Sequence, residues 1–522
     1  MAVTRSRSST FALLVLSLPV VVNWVVRFLS PRPWRWDIEH MLYAGQRLLA
    51  GELHWTESFD DKLPVVQFIF APPAAFDSMA VWIAVSAGFV LVGAWGCYVL
   101  VEDALRADPD LTPAQRARPA AFAAVSMAYL CTFLPAGLHH VNAAAASAAV
   151  ASIALLAVAC RARGSGLPAW GPFLASAALA SIAIGIRPYF LAPLLVAPIW
   201  ALARAPGPHS LRGIAVGWAV WMAATALFGM VVNVLPYALT GQLDAFIAGM
   251  RLLSQELRPQ GMVDVLAHAF STFAELDVVT TALAIGAIAA PIYTAVTLWR
   301  RTPGAMPSAI ARDILVLALG MPLLLAAYIA TKHFWDHYLQ MFAPFLGLGF
   351  GFLCYIIARE VSGPGRLLGS VMGAMAMLYV LPTLAFDARQ LLGDRNFLTI
   401  RGREADAVAA FLGTRPADRR DFLYLDNIFV HWRLKEPRRG FPHAANTVHI
   451  IKMGWWQSVD MPAWFAHPTN AQEYCEALNR TGPSLLIVGE HLPDFPEICD
   501  SRPLRYRLLR ELDGGTRIFG RS

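Results

Sequence analysis

Charged side chains are scarce in this sequence: Asp, Glu, Lys and Arg make up 15% of its 522 residues, against 57% hydrophobic. Mean hydropathy is +0.50. So apolar a chain exceeds what a soluble core needs and reads as a polytopic α-helical membrane protein. Its basic residues are spread over short loops rather than gathered on one face, so the net charge of +6 gives no warrant for nucleic acid as a partner. The charge is a topology signal instead. Internal repeats and low-complexity tracts are missing. No small-residue cleavage site closes the apolar run from Phe11 to Leu29 behind Arg5 and Arg7, so that run is read as a retained first span rather than a signal peptide.

Cysteine is also sparse, at six residues. No Cys-x-x-Cys occurs, so a structural zinc site is not expected. Cys97, Cys131, Cys160 and Cys354 lie in apolar runs and read as small buried hydrophobes. Cys475 and Cys499 lie in the polar C-terminal part, where an oxidising compartment would let them pair.

Apolar runs long enough to cross about 30 Å of hydrocarbon fall near 11–29, 79–100, 119–135, 142–160, 170–186, 188–203, 214–235, 276–299, 313–330, 339–358 and 367–386. They predict about eleven transmembrane helices within a first domain of residues 1–390. Arg5, Arg7, Arg106, Arg116, Arg118, Arg161, Arg163, Arg204, Arg212, Arg300, Arg301, Arg312, Arg359 and Arg366 fall in the N-terminal tail or in alternate loops. The N-terminus and those loops are therefore assigned to the cytoplasm. The first loop, 30–78, and everything from 391 to 522 then lie outside.

From about residue 391 the composition turns globular. Glu404–Leu412 and Ala471–Leu478 read as helices, and 421–426, 484–488, 505–509 and 516–519 as strands, which together predict a small α/β domain. No Gly-rich phosphate loop follows either main strand, so nucleotide binding has no support.

The first external loop holds the richest chemistry. Asp37, Glu39, Asp60, Asp61 and Lys62 crowd into it, and Ile38, Met41, Leu42, Gly45, Leu48 and Leu49 recur at helical spacing. That pattern predicts an amphipathic helix on the bilayer surface, flanked by Trp34, Trp36 and Trp55 as an interfacial belt. The remaining external segments are A-G-L-H-H-V at 136–141, the Ile186-Arg187-Pro188 break, an amphipathic loop at 237–275 predicted to form another surface helix, and T-K-H-F-W-D-H-Y at 331–338.

An Asp opening a surface helix, a Gly that ends it, and an acidic residue directly before Lys-x-Pro resemble the first external loop of the integral-membrane GT-C glycosyltransferases. That superfamily includes the protein O-mannosyltransferases and the lipid A aminoarabinose transferases. The resemblance implies a GT-C-like membrane domain in which Asp37 is the catalytic base beside the acceptor. Glu39, Lys62, Arg187, Lys332, His337 and Tyr338 are implied as substrate contacts, with Lys62 and Arg187 facing the donor phosphate. Asp60 and Asp61 are implied as ligands of a divalent ion. Family members supply a further acidic ligand from the second external turn, where this chain has His139, His140 and Asn142. Either imidazole replaces carboxylate there, which favours zinc or a transition metal, or no metal is required and the histidines serve as polar contacts at a helix end.

The implied activity is inverting transfer of a sugar from a polyprenyl-phosphate carrier to a glycan, lipid or protein acceptor at the outer face of a bacterial cytoplasmic membrane. Membrane lipid and the lipid-linked donor are the implied partners. Two other readings stay open on sequence. A transporter or flippase of polyprenyl lipid or polysaccharide should show paired broken helices in two related halves, with charges near midplane. The other is a noncatalytic envelope-assembly protein.

Overall fold

Helix dominates because backbone amides inside a bilayer find partners only within their own segment. The computed structural model describes residues 2–29, 36–55, 62–134, 137–164, 169–204, 210–255, 262–276, 308–331, 336–360, 405–416, 422–424, 484–488, 506–512 and 515–521, with a few isolated positions besides. Five helical stretches among them are long and apolar enough to cross a membrane: Met79–Leu105, Val141–Ala162, Leu211–Asn233, Asp313–Ala330 and His337–Ile356. Shorter apolar helices run over Ser17–Leu29, Val65–Ala75, Trp170–Ile186 and Pro188–Ala203. These coincide with most of the runs expected from hydropathy. The runs at 276–299 and 367–386 lie largely or wholly outside the described residues, so the full count of spans is not set by these helices.

Contacts divide the chain into two compact units. The first comprises Met1–Pro31, Ile83–Val231 and Leu257–Arg389. At its centre α6 (Val141–Gly164) packs on α7 (Trp170–Ile186) and α8 (Leu191–Ala203). Alanines let α6 come this close: Ala143, Ala144, Ala145, Ala146 and Ala148 are all fully buried. By contrast α9 (Leu211–Asn233) turns Leu211, Val216, Leu227 and Met230 outward, as a helix facing lipid does. It holds to its neighbours through Trp221, whose Nε1 donates to Ser176 Oγ at 2.9 Å.

The helix Ala343–Glu360 lies against α5 (Pro113–Phe133). Two glycines one turn apart make that possible. A Cβ on Gly347 would fall 2.9 Å from Ala123 O, and one on Gly351 2.8 Å from Pro119 O. Small residues at this spacing let membrane helices approach backbone to backbone.

Where α4 (Met79–Leu105), α6 and α8 finish, charged residues interlock. Asp103 pairs with Arg161 and, at 3.8 Å, with Arg204. Arg204 also pairs with Asp313, which accepts from Trp200 Nε1 at 3.0 Å. Glu102 takes Arg106 at 2.8 Å and Arg116 at 3.6 Å, and Tyr355 donates to Asp108 at 2.7 Å. Asp103, Asp108 and Asp313 are buried, so their charges depend on these partners. Arg106, Arg116, Arg161 and Arg204, assigned from sequence to one side of the membrane, join this one polar clasp.

The second unit comprises Arg32–Trp82, Val232–Glu256 and Gln390–Ser522. Its α2 (Trp36–Leu49) packs on α3 (Val65–Ala75), a short helix not anticipated in the loop. Gly45 marks the closest approach, since a Cβ there would sit 2.4 Å from Phe70 O. Ile38, Met41 and Leu42 are buried as their spacing predicts, but so are Tyr43 and Ala44, while Leu49 is exposed. The helix is therefore enclosed on more than one stripe. After α9 the chain forms α10 (Leu235–Leu239) and α11 (Leu243–Gln255), and in the first unit α12 (Met262–Ala274).

Residues 405–413 are helical, and a four-stranded sheet runs in the order β1-β2-β4-β3, from β1 (Phe422–Tyr424), β2 (Leu485–Val488), β3 (Tyr506–Glu511) and β4 (Arg517–Arg521). β1 and β2 are parallel, while β4 is antiparallel to both β2 and β3. Each strand matches one expected from alternation. The helix expected over 471–478, Cys475 and Cys499 lie outside the described residues.

Removing one cation from the clasp should strand buried carboxylates. Arg204→Met is expected to lower stability by about 3–5 kcal/mol, read as a shift in the denaturant midpoint of the purified protein. A wild-type midpoint would show that the clasp carries no stability.

Candidate functional site

Proline sets the first residue of the site. The residue before a proline is disfavoured in helix, and α7 stops at Arg187, which adopts φ −141° and ψ 101°. A 3₁₀ turn over Pro188–Phe190 then leads into α8. A lone arginine at a span end ordinarily snorkels outward. Arg187 is buried instead. Its Nε donates to Asn142 Oδ1 at 2.6 Å, and its Cζ lies 5.0 Å from the centroid of the Tyr338 ring, within cation–π range.

Asn142, in the first turn of α6, ties three chain segments together. Its Nδ2 donates to His337 O at 2.9 Å, and its backbone N–H donates to His140 Nδ1 at 3.1 Å. His140 thus caps the open amides at the start of α6 with its ring nitrogen. An Nδ1 that accepts a hydrogen bond leaves the imidazole proton on Nε2 in the neutral ring. Ahead of it the turn depends on Gly137 at φ 51°, where a Cβ would meet Thr132 O at 2.8 Å. Gln340 completes the lattice, its Nε2 donating to Gly137 O at 2.6 Å.

An aromatic wall backs these polar groups. Tyr328 and Tyr338 stack at 5.3 Å, Tyr189 lies 4.5 Å from Tyr328, and the rings of His140 and His337 are 4.5 Å apart. Tyr328 donates to Met341 Sδ at 3.0 Å. The neutral carboxamide of Asn142 orients the guanidinium. A guanidinium held in this way offers a planar fork of donors, the geometry that oxyanions accept.

Of the residues expected from sequence, Arg187, His140, His337 and Tyr338 come together here. Asn142, Tyr189, Tyr328 and Gln340 join them without having been picked out as site residues. His139 lies in the 3₁₀ turn Gly137–His139, but its side chain is outside the described residues. So is Lys332.

The first loop belongs to the other unit and is described by itself. Asp37 and Glu39 lie in the opening turn of α2, with side chains outside the described residues, as are Asp60 and Asp61 entirely. Gly51, at φ 87°, reverses the chain after α2. Lys62 is 1% exposed, so its ammonium is held inside protein rather than in a solvated turn. Just beyond it, Val65 N–H donates to Asn233 Oδ1 at 2.7 Å and anchors the start of α3. Among the described residues no group of three His, Cys, Asp or Glu side chains is placed to hold a metal ion. His140, expected as a ligand, commits Nδ1 to the helix cap.

No protein-family profile matches the sequence, and no curated protein matches it. Among solved structures, the chain is similar to ArnT from Cupriavidus metallidurans bound to undecaprenyl phosphate, with 15% identity, a TM-score of 0.55 and 97% of each chain covered. The apo state of that protein gives 14% identity, with the same TM-score and coverage. The chain has a GT-C fold. The GT-C-like fold expected from the first-loop motif is thus met at the level of fold. Within the GT-C fold the Arg187 cluster occupies the break between α7 and α8.

Asn142→Leu would take the acceptor from Arg187 and the donor from His337 O. The stability lost is expected to be about 1–3 kcal/mol, measured by denaturant unfolding, whereas Asn142→Asp, which keeps the acceptor for Arg187 and loses only the donor to His337 O, should lose less.

Proposed function

We propose that the protein is a glycosyltransferase that moves a sugar from a polyprenyl-phosphate-linked donor to an acceptor at the outer face of a bacterial cytoplasmic membrane. The observation that carries this reading is a buried arginine, fixed by Asn142 over the Tyr338 ring at a helix break in a GT-C fold. A solved protein of that fold binds undecaprenyl phosphate. Sugar nucleotides are cytoplasmic, so a transferase working outside needs its sugar already carried across on lipid.

In the proposed reaction the acceptor oxygen or nitrogen attacks the anomeric carbon in one inverting displacement. Asp37 takes the acceptor proton as general base. The bond from the anomeric carbon to the phosphate oxygen breaks, and the electron pair leaves with the lipid phosphate. Lys62, Arg187 and Lys332 stabilise that charge as it develops, while Glu39, His337 and Tyr338 contact sugar or phosphate. No step is routed through a metal. Residues 391–522 form an extracytoplasmic domain in this reading, and the N-terminus is cytoplasmic.

A transporter would have to open the membrane domain alternately to both sides. The clasp of Asp103, Arg161, Arg204 and Asp313 resists such opening, because parting it would leave buried carboxylates unpaired.

The test uses purified protein in liposomes with a synthetic polyprenyl-phosphate sugar. Asp37→Asn is expected to slow transfer by about 10²–10⁴-fold, and Arg187→Gln to weaken donor use. Equal turnover of wild type and Asp37→Asn would remove Asp37 from the mechanism. Movement of the lipid across the bilayer without transfer would replace the enzyme reading by the transporter.

A further inference from the structure

The chain enters the loop that leads to Lys62 in a strained conformation. Trp55 is not glycine, yet its φ is 67°, in the left-handed region that a bulky side chain rarely adopts. Such a conformation persists only where its surroundings overdetermine it. Here they do so from several directions.

The indole of Trp55 is 4% exposed and rests on Gly249 of α11. A Cβ at Gly249 would fall 2.3 Å from indole Cε3 and 2.4 Å from Cδ2, so only glycine leaves room for the ring. Phe246, on the same face of α11, lies 5.5 Å from Trp55 and 5.4 Å from Tyr237. One residue earlier, His54 N–H donates to Gln67 Oε1 at 2.7 Å, and His54 O accepts from the Tyr237 hydroxyl. Burial pushes the Tyr237 phenol well above its usual range, so it remains a donor at any working pH.

The exit of the loop is fixed by the same stretch of chain. Asn233, four residues before Tyr237, accepts from Val65 N–H at 2.7 Å, three residues after Lys62. Both flanks of the loop, Trp55 on entry and Val65 on exit, are thus attached to the segment from Asn233 to Gly249.

We infer that this segment is a cradle that positions Lys62, with Trp55 as the positioning residue keyed into the Gly249 slot. The inference deepens the proposed function and rests on Lys62 acting on the lipid phosphate. In that role a small displacement weakens stabilisation of the leaving group more than it weakens donor binding, so it lowers kcat rather than raising KM. The cradle itself is independent of the activity.

Gly249→Ala drives a methyl group into the indole. Hydrogen–deuterium exchange of the full-length protein is expected to accelerate in peptides covering residues 50–55 and 62–70. Turnover with the synthetic polyprenyl-phosphate sugar should fall by about tenfold to 100-fold, with KM for the donor little changed. Pairing Gly249→Ala with Trp55→Phe, a smaller ring, should restore both slow exchange and turnover. Wild-type exchange in Gly249→Ala would overturn the cradle, and loosened exchange with undiminished turnover would overturn Trp55 as a residue that positions Lys62 for transfer. Faster exchange in a preparation whose wild type transfers no sugar would remove the transferase reading and leave the cradle standing.

Discussion

Charge is expensive in hydrocarbon, and the arrangement of this chain follows from that cost. Polar side chains are driven to the ends of the membrane helices, where they must find one another. On α6 the two outcomes are visible together: Asn142 at one end enters the Arg187 cluster, and Arg161 at the other enters the acidic clasp. The rise of a helix puts those ends about 30 Å apart, which matches the thickness of a bilayer core. One end is built from hydrogen bonds and aromatic faces around a cation. The other is built from ion pairs.

The two clusters differ in what they ask of their partners. In the clasp, arginines meet carboxylates and charge is neutralised locally, which suits a fixed joint. At Arg187 a carboxamide and an aromatic face orient the guanidinium. In the proposed function the clasp end is scaffold and the Arg187 end receives the anionic lipid phosphate. His140 illustrates the same economy: its ring nitrogen satisfies a helix amide and at the same time holds the imidazole beside His337.

Much of this was legible in the sequence, because hydropathy and alternation are local signals. The apolar runs, the strands at 422–424 and 485–488 and the closing strand pair all follow from residue pattern. Arg187 stood out because Pro188 beside it forces a break. Asn142, Tyr189, Tyr328 and Gln340 did not stand out, since their roles depend on three separate turns meeting in space. Nothing in the local pattern marks Trp55 for a positive φ either: the strain is held by Gly249, nearly two hundred residues away along the chain. The short helix after Lys62 contains Pro72 and Pro73, residues whose local preference argues against helix.

The alanine run of α6 has a consequence for how this protein can change over time. Methyl groups have no rotamers with which to absorb a neighbour's growth, so a larger residue at Ala144 or Ala148 cannot be accommodated by a side-chain swing. Whole helices would have to shift, and Asn142 would be carried away from Arg187 with them. Sequence drift along this helix is thereby confined to compensated exchanges, in which a facing residue shrinks as another enlarges.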